Sequence, residues 1–267
     1  MSGSRRFRVL LAAALAVALV FLTLPVVAIF ANTSPGRLLD SLGDPSAQDA
    51  LWLSLQTTLI ALAIILVVGT PAAYLLATRD FRGRSVVLTL VELPLVLPPA
   101  AAGIGLLAAL GPNGILGGSL ERAGFDLVLQ TSGVVIALTF VAAPFYLRQA
   151  EAAFSAVAPT VVEASRTLGV GEAATFLRVV IPTARGGLLA GAALAWGRAL
   201  GEFGATLMFA GSFRGISQTV PLAIYDRFSI DFLGALALSA VLVCVSFALL
   251  LSVKLVTGRG PLTVAVR

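Results

Sequence analysis

The sequence has no histidine, one cysteine and one lysine among its 267 residues. A single cysteine, Cys244, excludes a disulfide within the chain, and without histidine no ordinary zinc site can be assembled. The lysine, Lys254, follows Val253, so the Gly-Lys-Ser/Thr signature of a phosphate-binding loop is absent. We therefore expect no metal site and no nucleotide site in this chain.

Charged residues are also scarce, at 12% of the chain, whereas soluble domains contain about 25%. The hydrophobic fraction is 58% and the mean hydropathy is +1.01. Apolar runs near the roughly 20 residues that cross a bilayer recur along the sequence. Backbone groups in lipid must be satisfied within each segment, which favours helices. The sequence predicts an all-α membrane protein that forms a single transmembrane domain over 1–267, with six spans at approximately 9–31, 51–78, 86–110, 131–154, 186–211 and 232–256.

The net charge of +5 would favour nucleic-acid binding in a soluble protein. Here the basic residues flank apolar runs, where they act as topology signals, so we expect lipid and no nucleic acid around the chain. The run 9–31 resembles a signal peptide, but it is too long and lacks a clear cleavage site, which predicts an uncleaved span. Six spans put both termini on one side, with thirteen basic residues there against four opposite. The positive-inside rule then places both termini and residues 158–182 in the cytoplasm.

Residues 158–182 form the longest polar interruption, with the sequence APTVVEASRTLGVGEAATFLRVVIP. The pattern predicts a short helix over Thr160–Leu168, a glycine turn at Gly169 and Gly171, and a second helix over Glu172–Val180. Glycine suits a turn with positive φ, which most side chains resist. Pro182 is expected to stop or kink the second helix. An amphipathic linker on the membrane surface is the alternative, although such a linker would not need glycine at one defined place.

The order Glu163-Ala164-Ser165, three residues, Gly169, nine residues and Val179-Val180-Ile181-Pro182 resembles the EAA loop of ABC importer permeases. Ser165 replaces the second alanine of that pattern. The resemblance implies the type I importer permease architecture, in which this segment is a cytoplasmic coupling helix between spans 4 and 5. The coupling residues that it implies are Glu163, Ala164, Ser165, Gly169 and Pro182.

The same resemblance implies the partners of the chain. They are a dimer of cytoplasmic ATPase subunits that bind the ATP, an extracytoplasmic binding protein and a second copy of the permease. It also implies a place in the bacterial inner membrane and no active site in this chain.

Prolines interrupt the third predicted span in the run Leu-Pro-Leu-Val-Leu-Pro-Pro, residues 93–99. They free backbone carbonyls, which is tolerated where the backbone faces protein or a water-filled cavity. Pro98, Pro99 and Gly103 are therefore candidate pore residues, and a bent but packed helix is the alternative. Glu92 lies at the start of this span, and the sequence leaves open whether it pairs with Arg82, Arg84 or a loop arginine.

The fifth predicted span contains Arg198 and Glu202, which are four residues apart and can pair on one helix face. Ionisable groups in a span are costly and usually face the bundle or a cavity. Arg198, Glu202 and Thr206 are candidate gate residues, and a structural ion pair is the alternative. A secondary transporter that works without an ATPase would need such groups to couple ions, but these two can neutralise each other.

Residues 93–99, 201–211 and 218–225 closely resemble the corresponding runs of molybdate permeases. The resemblance implies molybdate as the substrate, with tungstate close in shape and charge. Sulfate or thiosulfate is the alternative, because permeases for those anions share the general layout.

Overall fold

The computed structural model describes residues 5–257, which contain helices and no strands. The helices are α1 Arg5–Ala31, α2 Pro35–Gly43, α3 Pro45–Thr78, α4 Arg84–Val96, α5 Pro99–Leu110, α6 Gly117–Arg122, α7 Thr131–Ser155, α8 Pro159–Thr167, α9 Glu172–Thr175, α10 Ile181–Leu200, α11 Gly204–Ala210, α12 Val220–Phe228 and α13 Phe232–Thr257. A π-helical turn, Phe176–Val180, joins α9 to α10. Five of the resulting helices are long and apolar enough to cross a membrane.

Helices α4 and α5 are apolar enough to cross a membrane only when taken together, and they are bent by 116° at the break between them, so the described residues contain five spans, or six if this pair is one span. Arg84, the first residue of α4, contacts Glu151 near the end of α7. Leu110, the last residue of α5, packs in a cluster with Leu127, just before α7 begins. Both ends of the pair therefore lie against α7. The prediction of a proline break in this span is confirmed.

Helix α7 is the centre of the bundle and packs between α3 and α10. Tyr146 is fully buried there, and its hydroxyl hydrogen-bonds Thr70 Oγ1 at 2.6 Å. Glycine allows α10 to pack directly against α7, because a Cβ at Gly187 would lie only 2.4 Å from the Ala153 Cβ. Small residues at such contacts are typical of helix packing in membranes, where close van der Waals contact drives association.

The expected end of the second polar helix at Pro182 is wrong. The chain continues from α9 through the π-helical turn into α10, and the Ile181 N–H donates to the Phe176 carbonyl five residues back. Pro182 has no N–H, and its ring would crowd the carbonyl of Arg178 in an α-helix. The wider π turn just before it accommodates proline without ending the helix.

The predicted fifth span, 186–211, differs from the structure at both ends. The apolar helix begins at Glu172 and ends at Leu200, and residues 204–210 form the separate helix α11. The Glu202 side chain stabilises the start of α11, because its Oε1 accepts the Ala205 N–H at 2.7 Å in place of a backbone carbonyl. The first N–H groups of a helix have no partner within the helix and are commonly satisfied by side chains in this way.

At the face opposite residues 158–182, α2 and α12 lie beside the start of α3. Asp44 precedes α3, accepts the backbone N–H of Ser46 and pairs with Arg227. The Ser46 hydrogen bond and the Arg227 guanidinium lower the pKa of Asp44 from 3.8 to about 2. Both interactions favour the carboxylate form, so this corner is held together by an ionised Asp44.

Candidate functional site

Gly169 makes the turn at the end of α8 in the left-handed region, at φ +79°. Its N–H donates to the Arg166 carbonyl at 2.9 Å, and the Val170 N–H donates to the Ser165 carbonyl at 3.2 Å. Glycine at this position is a common way to end a helix, because it enters the left-handed region at little cost. The predicted glycine turn is therefore present, with α8 starting one residue earlier than expected.

A buried hydroxyl pair fixes the two arms of this hairpin. Ser165 Oγ and Thr175 Oγ1 lie 2.9 Å apart and are both buried, so they bridge α8 and α9. Ser165 stands where the EAA pattern has alanine, and an alanine could not make this bond. The sequence analysis missed Thr175, since nothing in its local pattern distinguishes it from an ordinary helix residue.

The exposed surface of the hairpin is charged. Glu172 pairs with Arg166 at 3.1 Å and with Arg79, at the end of α3, at 3.4 Å. Exposed pairs of this kind contribute little to stability. Glu163 is exposed at the rim of a cavity of ≈ 410 Å³, and the described residues place no cation in an ion pair with it. Its carboxylate is therefore available to a partner molecule, as is the exposed Ala164 beside it.

Three aromatic rings anchor the hairpin to the bundle. Tyr74 of α3 lies 5.5 Å from Phe154 of α7 and 4.6 Å from Phe176 of the π turn, measured between ring centroids. Rings at these separations gain attraction beyond their buried area. The rings join the ends of two membrane-crossing helices to the helix that follows the hairpin, a contact that the sequence analysis did not foresee.

The broken helices α5 and α11 meet where each begins. A Cβ at Gly103 would lie 2.7 Å from the Ala205 carbonyl oxygen and 2.7 Å from the Met208 Cβ. A Cβ at Gly204 would lie 2.8 Å from the Pro99 Cβ. Glycine is thus required on both sides of this crossing. Helices broken at the same depth are characteristic of transporters, whose pathways lie beside such breaks.

The predicted pore residues come together at this crossing. Pro98 immediately precedes α5, Pro99 is its first residue, and Gly103 contacts α11 one turn further on. Thr206 of α11 is fully buried, and its hydroxyl donates to the Phe203 carbonyl at 2.8 Å. Since that hydroxyl is already bonded, Thr206 offers a small packed surface here and not an open polar group.

Arg198 and Glu202 form the predicted ion pair, with Arg198 Nη2 2.6 Å from Glu202 Oε2. The Glu202 side chain is 1% exposed and that of Arg198 is 26% exposed. A buried carboxylate needs hydrogen bonds or positive charge to compensate for its lost hydration, and the Ala205 N–H and the Arg198 guanidinium supply both. Glu202 is thus a structural element of the break, whereas Arg198 keeps part of its charge accessible.

Glu92 pairs with Arg148 of α7 at 2.9 Å. The partners considered from the sequence, Arg82 and Arg84, are not the ones it contacts, because Arg84 turns towards Glu151 instead. Local sequence spacing could not reveal this partner, since Arg148 is 56 residues away on another helix.

Five long apolar helices, a sharply bent apolar helix pair, two helix breaks in contact and a polar helical hairpin on one face define a polytopic membrane protein with the broken helices that are typical of transporters. The family model described as "Binding-protein-dependent transport system inner membrane component" matches residues 69–259. The chain belongs to this family, the inner-membrane permease subunits of ABC importers, in which the ATPase is a separate subunit.

Three known proteins illustrate the relationship. The molybdenum transport system permease protein ModB of Mycobacterium tuberculosis is 39% identical over 244 residues, covering 91% of this chain and 92% of ModB. The sulfate transport system permease protein CysW of Escherichia coli K12 is 35% identical over 206 residues, covering 76% of this chain and 71% of CysW. The structure of a bacterial alginate ABC transporter, in complex with its alginate pentasaccharide-bound periplasmic protein, contains a chain with a TM-score of 0.75. That chain is 16% identical and the match covers 95% of this chain and 94% of that one, which supports the fold.

Proposed function

We propose that this permease carries molybdate or tungstate into the cytoplasm, in an importer driven by ATP. The observation that supports this choice of substrate is the similarity to the molybdenum permease ModB along nine-tenths of the chain. The similarity to the sulfate permease CysW is lower and covers less of the chain. Sulfate or thiosulfate is therefore the second candidate.

The assembly that we propose contains two copies of this chain, each a single transmembrane domain, with both termini in the cytoplasm. The excess of arginine on the face of the 158–182 segment supports that orientation. A dimer of ATPase subunits binds the ATP and docks against the two segments. A molybdate-binding protein docks on the opposite face and releases its oxyanion into the pathway between the two permeases.

In the proposed cycle, ATP binding closes the ATPase dimer and displaces the 158–182 segments. Gly169 sets the angle of the hairpin, Ser165 holds α8 against α9, and the exposed Glu163 and Ala164 meet the ATPase. Pro182 lies where the segment enters the membrane. The displacement switches the pathway from facing inward to facing outward.

The pathway wall that we propose includes Pro98, Pro99, Gly103 and Arg198. The partial exposure of Arg198 supports a role in attracting the anion, because its guanidinium pairs with Glu202 just before α11 begins. The burial of Glu202 supports a positioning role, in which it fixes Arg198 and starts α11.

Uptake of labelled molybdate into proteoliposomes tests this function. They contain the permease and its ATPase, with the binding protein supplied outside, and uptake is measured with and without ATP and against excess sulfate. ATP-dependent uptake that sulfate does not compete supports molybdate. Competition by sulfate moves the assignment to the sulfate branch, and uptake without the ATPase contradicts an ATP-driven importer.

A further inference from the structure

Four charged side chains form a continuous series of ion pairs between α4 and α7. Arg84 Nη2 lies 3.1 Å from Glu151 Oε1, and Arg148 Nη1 lies 3.3 Å from Glu151 Oε2. Arg148 Nε also lies 2.9 Å from Glu92 Oε1, so one guanidinium serves both carboxylates. Arg84 Nε donates to the Leu76 carbonyl at 2.9 Å, which extends the series to the end of α3.

These ion pairs hold α4 at two points. Arg84 and Glu92 are eight residues apart, which is about 12 Å along a helix. None of the residues of α4 is buried in this chain, so apolar packing alone does not define its orientation. The side chain of Glu151 is only 14% exposed, and partial burial strengthens a pair relative to the fully solvated case. Two separated attachments transmit rotation as well as translation of α7 to α4.

The ion pairs lie between the two candidate functional regions. Helix α7 ends at Ser155, and only three residues separate it from α8, the first helix of the 158–182 segment. Helix α4 ends at Val96 and leads directly into the break before α5, whose Gly103 contacts α11. Because three residues of chain join α7 to α8, a displacement of the 158–182 segment would move α7. The ion pairs between α7 and α4 would then pass that movement to the broken span.

We propose that Arg148 and Glu92 are positioning residues that transmit movement of the 158–182 segment to the broken span. The inference rests on the proposed function, in which an ATPase drives that segment. Arg148 does not contact the anion. It sets where α4 lies relative to α7, and therefore where the α4–α5 break lies relative to α11.

The test measures movement of the break without any substrate. Val96 is exposed at the end of α4, so a V96C variant in a Cys244→Ser background reports its surroundings through the rate of maleimide labelling. The permease–ATPase complex is labelled with and without ATP. We expect ATP to change the rate, and Glu92→Gln or Arg148→Gln to shrink that change by about two- to fivefold, as a half-exposed ion pair allows.

Two further sets of variants separate transmission from damage to the fold. The exchange Glu92→Arg with Arg148→Glu restores opposite charges across the helices, so it should recover part of the ATP-dependent change. The controls Glu121→Gln and Arg8→Gln remove charges that form no ion pair among the described residues, and should leave the change intact. Size-exclusion chromatography verifies that every complex assembles.

An undiminished ATP-dependent change in both Glu92→Gln and Arg148→Gln overturns the proposal. So does a labelling rate in the V96C parent that does not respond to ATP, because the break then does not move. Failure of molybdate uptake in proteoliposomes contradicts the proposed substrate alone, since labelling requires no oxyanion.

Discussion

Replacement of Gly169 by valine should uncouple the ATPase from transport and leave the membrane-crossing helices folded. Gly169 adopts φ +79°, and a Cβ built on it meets no atom within 4 Å. The energetic cost of a side chain at position 169 therefore comes from its own backbone conformation and not from a clash with neighbouring atoms. Gly171, two residues later, adopts φ −65° and also has open space around a Cβ. The two glycines form a matched pair that differs in backbone conformation.

The magnitude follows from the cost of the left-handed region. A residue with a Cβ pays roughly 1–2 kcal/mol there, and a β-branched side chain pays more. Each 1.4 kcal/mol changes a population about tenfold. Gly169→Val should thus reduce the population of the intact hairpin by about tenfold or more. Gly169→Asn should lose much less, because asparagine tolerates this region, and Gly171→Val should behave like the unmodified chain.

The assay compares ATP-dependent uptake per ATP hydrolysed in proteoliposomes with the same amount of assembled transporter. Circular dichroism of the purified permease monitors the helices separately. Normal uptake by Gly169→Val, or an equal loss in Gly171→Val, would refute the assignment of the turn to the left-handed conformation of Gly169.

Two further predictions concern other parts of the chain. Gly103→Ala should abolish transport, because its Cβ would lie 2.7 Å from the Ala205 carbonyl oxygen, whereas Gly105→Ala meets open space and should be tolerated in the same uptake assay. Asp44 has a folded pKa of about 2 against the usual 3.8, so its contribution to stability is present above about pH 4 and is lost as the pH falls towards 2. Thermal unfolding in detergent should therefore weaken less on acidification in Asp44→Asn than in the unmodified chain.

The sequence predicted those features that depend on local chemistry. Proline marked the break at Pro98, glycine marked the left-handed turn at Gly169, and a four-residue spacing paired Arg198 with Glu202. Each follows from properties of one residue or one helix face.

The features that the sequence did not predict depend on distant partners. Arg148 approaches Glu92 from another helix, and Thr175 meets Ser165 across the hairpin. The break after Leu200 was missed because apolar residues resume beyond Glu202 and continue to Ala210, so that one longer span was expected. In the folded structure Glu202 accepts the Ala205 N–H at the start of α11, a hydrogen bond that the sequence pattern did not reveal.

The π turn at Phe176–Val180 contains one residue more than an α-helix needs to close a turn. Each residue of an α-helix advances the chain by about 100° around the axis. The surplus residue therefore sets the direction of the polar hairpin independently of the face that α10 buries in the bundle. Deleting one residue within the turn would leave the whole Glu-Ala-Ser to Gly169 motif unaltered and swing it to another side of the helix. The orientation of the hairpin therefore depends on the number of residues between Gly169 and Pro182 as well as on their identities.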